Sequence, residues 1–328
     1  MNDDLQDTSM RAHNGDKAIN LLFNVTPALF EDYHEPILDA LRHRSIDARA
    51  SLLGDIAHQD VDYIIHATGG PITDFAPFSN ARAVLSLWAG VEKIVGNATL
   101  TQPLCRMVDD GLRQGMVEWV VGHTLRLHLG MDRYVCQKPL TWSQHVPPLA
   151  TDRSVTVLGL GELGSAAASA LVQLGFRVTG WSRSLREVPG VRCLAGTESL
   201  PQALASAEIL IGLLPQTPET IDLLNAERLA LLPKGSFIIN AGRGTLIDDD
   251  ALTAALDSGR VAQATLDVFR TEPVPSGHPF WSHPGVTISP HVAAATRVGT
   301  AAENIADNIA RAESDTPLMN LVDRTLSY

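Results

Sequence analysis

The sequence predicts an α/β protein made of two doubly wound parallel-sheet domains. Three observations carry that expectation. At 328 residues the chain is long enough for two domains, each with its own core. Strand-like and helix-like segments alternate before residue 100 and again after residue 154, a rhythm that gives a parallel sheet covered by helices. The second series also opens on a glycine-rich turn at the junction of a strand and a helix.

Taken in order, residues 1–17 are polar, lack the apolar core of a signal peptide and read as a disordered tail. Residues 19–25 form a strand, 28–43 a helical stretch, 61–66 a second strand and 83–87 a third. No glycine fingerprint occurs here, so this part is expected to contact substrate rather than a second nucleotide. The third strand runs into Trp88, Ala89 and Gly90. Small residues after a strand leave amides open to a carboxylate, and the Trp88 ring could cap the same pocket. An ordinary strand-to-helix turn would look the same.

Within residues 112–135, Met116, Trp119, Val120, His123 and Leu127 recur at helical spacing, which predicts one long, mostly buried helix linking the domains. His123 and His128 stand five apart with no H-E-x-x-H context, so they read as structural and no metal site is expected. Residues 137–153, with Pro139, Pro147 and Pro148, read as an extended connection.

Val155, Val157 and Leu158 then form a buried parallel strand that breaks at Gly159. Gly159, Gly161 and Gly164 fit G-x-G-x-x-G, followed by an alanine-rich helix at 166–174, a stop at Gly175 and a strand at 176–181. The first glycine permits the tight turn, the second lets a pyrophosphate approach, and the third lets helix and strand pack closely. Amides at the helix start, those of Glu162 and Leu163, would hold the phosphates with help from the helix dipole. Strand, turn, helix and strand together make this a Rossmann-type nucleotide unit. The second strand ends in Ser182, Arg183 and Ser184, with no acid before Glu187. An acid there would accept from ribose hydroxyls, whereas Arg183 can pair with a 2′-phosphate and the serines can donate to it. The expected cofactor is therefore NADPH, with NADH accepted less well.

The alternation continues with strands at 208–214, 236–240, 264–269 and 286–289, and a helix capped by Asp248 and ended by Gly259. With the first two, six strands fit a doubly wound sheet whose ligands sit beyond the strand carboxyl ends. Arg243, Glu272 and His291 fall at those ends. Each alone could be a surface or loop residue; together beside a nucleotide they suit hydride transfer to a 2-keto acid. Arg243 would grip the carboxylate and polarise the carbonyl, His291 would supply the proton, and Glu272 would orient the imidazole.

Composition narrows the partners. Charges of 25 and 37 leave a net −12, which argues against nucleic acid and anionic membrane, since both require basic patches. Cys105, Cys136 and Cys193 form no paired motif and read as reduced thiols of a cytoplasmic protein. No apolar run approaches a membrane span.

Several stretches in fixed order resemble the D-isomer-specific 2-hydroxyacid dehydrogenases, and within them the glyoxylate/hydroxypyruvate reductase A branch. They are residues 87–91, 159–164, 180–184, 213–220, 240–244, 266–269 with Glu272-Pro273, and 290–294. The resemblance covers nearly everything after residue 18. It implies that Arg243, Glu272 and His291 are the catalytic trio and that Asp267 meets the nicotinamide carboxamide. It also implies that Leu214, Pro215, Ala241 and Gly242 contact the cofactor, and that the Ala89 and Gly90 amides hold the substrate carboxylate. Further implications are a flavodoxin-like substrate domain (18–105 with 292–328), an NADP-binding domain (106–291) and a cleft between them. A homodimer with the helix near Met116 in its interface is implied too. Trp88 departs from a common glycine at its position, which bears on acyl-group size. The activity implied is NADPH-dependent reduction of glyoxylate and hydroxypyruvate. Reduction of bulkier 2-keto acids such as phenylpyruvate, or a non-catalytic NAD(H)-sensing role, are the alternatives.

Overall fold

The computed structural model describes residues 18–135 and 142–324. The expected tail and Cys136 lie outside the described residues. Two compact units divide the chain. The smaller runs up to Trp88 and adds Asn97–Met107 and Ala302–Val322, while the larger holds Ala89–Gly96 and Val108–Ala301.

In the smaller unit, β1 (Ile19–Asn24), β2 (Ala48–Ser51), β3 (Tyr63–His66), β4 (Ala83–Ser86) and β5 (Leu104–Cys105) form one sheet in the order β2-β1-β3-β4-β5. Every pairing is parallel, and the order is that of flavodoxin-like sheets. Leu21, Phe23, Ile64, Ile65, Val84 and Leu85 are buried because helices cover both faces of such a sheet. Helix α1 (Pro27–His43) starts at Thr26, whose hydroxyl accepts from the Leu29 amide, and Pro27 occupies a first-turn position that needs no donor. It buries Tyr33, Ile37, Ala40 and Leu41, a single helical face. Only three of the five strands were expected. The other two are a four-residue segment of half-exposed Ala-Arg-Ala-Ser and a two-residue edge, neither long nor apolar enough to stand out.

In the larger unit, α2 (Asp110–Leu129) and α3 (Asp132–Val135) precede β6 (Ser154–Leu158), α4 (Glu162–Gln173), β7 (Arg177–Ser182), β8 (Arg192–Ala195), α5 (Leu200–Ala205) and β9 (Ile209–Gly212). Then come α6 (Ala226–Leu229), β10 (Ser236–Asn240), α7 (Asp249–Asp257), β11 (Val261–Leu266) and β12 (Val286–Ile288). The sheet order is β12-β11-β10-β9-β6-β7-β8, parallel throughout. Alternate residues feed opposite cores. Leu158, Leu210 and Ile238 enter one cluster, and Val155, Val157, Ile209 and Ile211 enter the other, where Met116, Val120 and Leu127 of α2 also pack. Strand β8 is the seventh, where six were expected; its half-exposed edge carries no apolar run.

The single helix expected over 112–135 is corrected to two. Gly130 adopts a left-handed φ of 65° and ends α2, with the Gly130 amide donating to Leu127 O and the Met131 amide to Arg126 O. Only glycine takes that conformation cheaply, so the helix stops there although apolar residues continue past it. The domain boundary expected at 292 also differs from the observed division, because residues 292–301 pack with the larger unit. Their amides are bound there: Val292 and Ala293 donate to the Asp267 carboxylate. Helix α8 (Val298–Glu313) buries Ala302, Ile305, Ala306 and Ile309. Among the described residues, no helix is long and apolar enough to cross a membrane.

The end of α8 is tied to the smaller sheet. The buried Tyr63 hydroxyl donates to Glu313 Oε1 at 2.6 Å, and Arg82 Nη1 donates to the same oxygen at 2.5 Å. Burial, then the Glu313 contact, raises the Tyr63 phenol well above its ordinary range. Glu313→Ala removes the acceptor for both donors and is expected to lower the unfolding free energy by about 1–2 kcal/mol, read from denaturant titration.

Candidate active site

The loops that follow β6, β9 and β10 lie against one another at the carboxyl end of the larger sheet. Gly159, at φ +106°, turns the chain after β6, and a Cβ there would sit 2.7 Å from Leu213 O. On the other side a Cβ at Gly242 would sit 2.7 Å from Leu214 O. The Leu213–Leu214 backbone is therefore clasped between two glycines that admit no side chain. The Ala241 amide donates to Gly212 O, and Pro215 O accepts from the Thr220 hydroxyl, so this rim is bonded at each step.

The glycine turn leaves a helix end free of side-chain capping. Gly161 is the N-cap of α4, with no side-chain cap bond, and nothing lies within 4 Å of where its Cβ would be. Gly164 is the opposite case, since a Cβ would come 1.7 Å from Gly159 O. The amides of Glu162 and Leu163 open α4 beside that space. This is the shape a pyrophosphate needs: donors, the positive end of a dipole, and room. Strand β7 ends at buried Ser182, whose hydroxyl donates to Ser184 O at 2.7 Å. That bond uses the Ser182 proton. Arg183 and Ser184 are exposed. The Glu219 carboxyl is held below its ordinary range, chiefly by the Thr217 hydroxyl, with the Arg183 charge contributing.

Arg243, Glu272 and His291 follow the neighbouring strands β10, β11 and β12. Asn240 shapes the first turn, its side chain accepting from the Gly242 amide and donating to Arg243 O. The Arg243 guanidinium donates through Nε to Glu92 Oε1 at 2.8 Å and through Nη2 to Glu92 Oε2 at 3.2 Å. Its Nη1 donates to Gly242 O at 2.7 Å. Gly90 lies under this fork; a Cβ there would be 2.1 Å from Arg243 Nη2. The structure thus brings Gly90 to Arg243. Ala89 neighbours it in the same unit, and Trp88, partly exposed, is counted with the smaller one.

Glu272 and His291 are in contact, with His291 Nδ1 2.7 Å from Glu272 Oε2. A carboxylate only accepts, so Nδ1 carries the proton of that bond and Nε2 is left for another partner. The other carboxylate oxygen, Oε1, accepts from the Phe269 amide at 2.9 Å. Asp267, 1% exposed, holds the His291 loop: its carboxylate accepts from the Ser289 hydroxyl and from the Val292 and Ala293 amides. The His291 amide donates to Asp267 O, and His291 itself sits at φ 55°. Left-handed backbone is costly for a side chain of that size, and the surrounding bonds maintain it. Three of roughly four acceptor positions on the Asp267 carboxylate are used, leaving room for one outside donor.

His123 and His128 have their rings against Trp119 and Phe176. Burial lowers both below the ordinary imidazole range. Sequence reasoning assigned no role to Glu92, Asn240 or Ser289. Asn240 had a local signal, an Asn at a strand end able to bond its own turn. For Glu92 there was none.

Comparison with known proteins shows the family and the fold. Residues 121–293 match the family model of the D-isomer specific 2-hydroxyacid dehydrogenase, NAD binding domain. A glyoxylate/hydroxypyruvate reductase A from Serratia proteamaculans is 39% identical over 255 residues, 75% of this chain and 82% of that protein. A D-isomer specific 2-hydroxyacid dehydrogenase from Xanthobacter autotrophicus Py2, solved with NADPH and MES, superposes with a TM-score of 0.88 at 39% identity, covering 95% of this chain and all (100%) of that one. An NADPH-dependent glyoxylate/hydroxypyruvate reductase from Sinorhizobium meliloti, solved with NADP and sulfate, gives 0.82 at 34% identity, with 95% and 100% covered.

Two glycines of the turn should respond oppositely to alanine. Gly164→Ala forces a methyl group into backbone and is expected to cost about 1–3 kcal/mol of stability. Gly161→Ala fits the fold, and should change stability by less than about 1 kcal/mol while weakening dinucleotide binding. Thermal unfolding and coenzyme fluorescence titration separate the two effects.

Proposed function

The chain belongs to the D-isomer-specific 2-hydroxyacid dehydrogenases, and on that footing we propose that it reduces small 2-keto acids with NADPH, glyoxylate to glycolate and hydroxypyruvate to D-glycerate. The observation that carries this reading is the contact of His291 with Glu272, in the loops that follow β12 and β11, the strands next in sheet order to β10, which leads into Arg243. The nicotinamide, when bound, supplies the hydride. Everything else is asked of the chain's own side chains.

Arg243 is the group for the substrate carboxylate and the carbonyl oxygen, where its charge stabilises the developing alkoxide. The Gly90 amide, with that of Ala89, is proposed for the other carboxylate oxygen. His291 gives the proton on Nε2 to the new hydroxyl oxygen, while Glu272 on Nδ1 fixes the ring and stabilises its charged form. Asp267 keeps that imidazole in place and has an acceptor position left for a carboxamide. For the coenzyme, Gly161, Glu162 and Leu163 would take the pyrophosphate, with Leu214, Pro215, Ala241 and Gly242 along the adjoining rim. Arg183 would take the 2′-phosphate, helped by Ser184; Ser182, expected as a second donor, spends its proton on Ser184 O. The relatives solved with NADPH or NADP support the choice of coenzyme. Trp88 is partly exposed and keeps reduction of bulkier acids such as phenylpyruvate as a second reading, its ring being able to stack on an aryl group.

We also propose a homodimer. Val135 (80% exposed), Trp142 (94%) and Val146 (86%) are exposed large apolar side chains close in sequence, and they support this reading if they share one patch. The helix near Met116, which the resemblance puts in the interface, buries Met116 itself in its own core. Light scattering should give twice the chain mass, and Trp142→Asp should shift it toward the monomer.

A rate survey with both coenzymes across glyoxylate, hydroxypyruvate and phenylpyruvate tests the activity. Phenylpyruvate efficiency far above glyoxylate would reverse the substrate assignment. His291→Asn is expected to lower kcat about a hundredfold or more. Arg183→Ala should raise the KM for NADPH about tenfold, leaving that for NADH nearly unchanged. Equal loss with both coenzymes would remove the 2′-phosphate assignment.

A further inference from the structure

We propose that Glu92 is a positioning residue for the reaction: its carboxylate sets the plane and direction of the Arg243 guanidinium and draws Gly90 beneath it. This rests on the functional reading above and adds a residue to it. A guanidinium has five N–H donors in one plane. Glu92 takes one on Nε and one on Nη2, and Gly242 O takes one on Nη1. Two donors remain, one on each terminal nitrogen, and their direction is fixed once the other three are bound. An arginine without this constraint would explore many rotamers before meeting a substrate.

The same carboxylate acts on the backbone. Residues Ala89–Gly96 belong to the larger unit although the chain on both sides of them belongs to the smaller. The Glu92–Arg243 pair is a bond holding that short segment where it is. It leaves so little space that a Cβ at Gly90 would be 2.1 Å from Nη2 and 2.8 Å from Glu92 Oε2. Side chains of Arg243 and Glu92 are 27% and 25% exposed, so solvent still reaches the pair and screens part of its attraction. Its consequence is orientation.

A simpler account would make Glu92 a bystander. An anion beside a site for anions repels the substrate, so its removal would then lower KM and leave kcat alone. Positioning predicts the reverse. Glu92→Gln keeps the size but offers one acceptor where two are needed, and its amide N–H groups face the arginine donors. In that variant kcat for glyoxylate should fall by about ten- to a hundredfold, the penalty of a misplaced group, with KM not reduced. The melting temperature and NADPH affinity should stay at the parent values, showing an intact fold. In an Arg243→Lys background, adding Glu92→Gln should cost almost nothing more, because a residue acting only through Arg243 has no second route.

A lower KM with unchanged kcat, or full additivity in the double variant, would overturn the proposal. If the parent protein reduces no 2-keto acid, the functional reading fails, and the Arg243 Nε–H proton resonance of the substrate-free protein decides instead. A downfield resonance that moves upfield and exchanges faster in Glu92→Gln sustains the positioning role. A resonance unaffected by the change rejects it.

Discussion

The site is organised by one buried carboxylate. Asp267 stands just past β11 and accepts from Ser289, Val292 and Ala293, all in the loop beyond the neighbouring strand β12. Its own carbonyl accepts the amide of His291. A buried anion is tolerated only when its lone pairs are met, so the loop must wrap around it. That wrapping carries His291 through a left-handed backbone conformation and toward Glu272, which lies five residues after the carboxylate that holds the loop. The imidazole–carboxylate contact is thus a product of loop shape, and loop shape is a product of burying Asp267.

The opposite side of the site obeys a steric rule. Two of its junctions, Leu214 against Gly242 and Arg243 against Gly90, are approaches in which a single added carbon would overlap another atom. Glycine at these positions is a demand of neighbouring loops, distinct from the left-handed turn at Gly159. Asn240 closes the turn before Arg243 with two bonds of its own, so the arginine leaves the strand at a set point before its fork is fixed by Glu92. A cation is thereby held at a set point in a chain with net charge −12. For an anionic ligand the local cation matters more than the overall balance, since exposed charges beyond a Debye length of about 10 Å are screened.

Much of this was legible in the sequence because it is local. Buried parallel strands read as short apolar runs, the helix face of α1 as a 3.6-residue period, and the turn after β6 as three glycines whose spacing answers to backbone geometry. Placing Arg243, Glu272 and His291 at strand ends needed only the strands. Nothing in the local pattern announced β2, β5 and β8, which are short edge strands, two of them partly polar, and are strands only because a neighbour pairs with them. Nor did it stop the long helix at Gly130, since apolar periodicity continued past the residue whose φ breaks it.

What the tertiary structure alone decided are the pairings across distance. Glu92 meets Arg243 from 151 residues away, and Asp267 meets Ala293 from 26. No local pattern encodes such contacts, because they depend on which strands become neighbours and on how far each loop reaches beyond its strand. Chain chemistry supplied the candidate acids, bases and glycines. Sheet order and loop length selected which of them share a hydrogen bond.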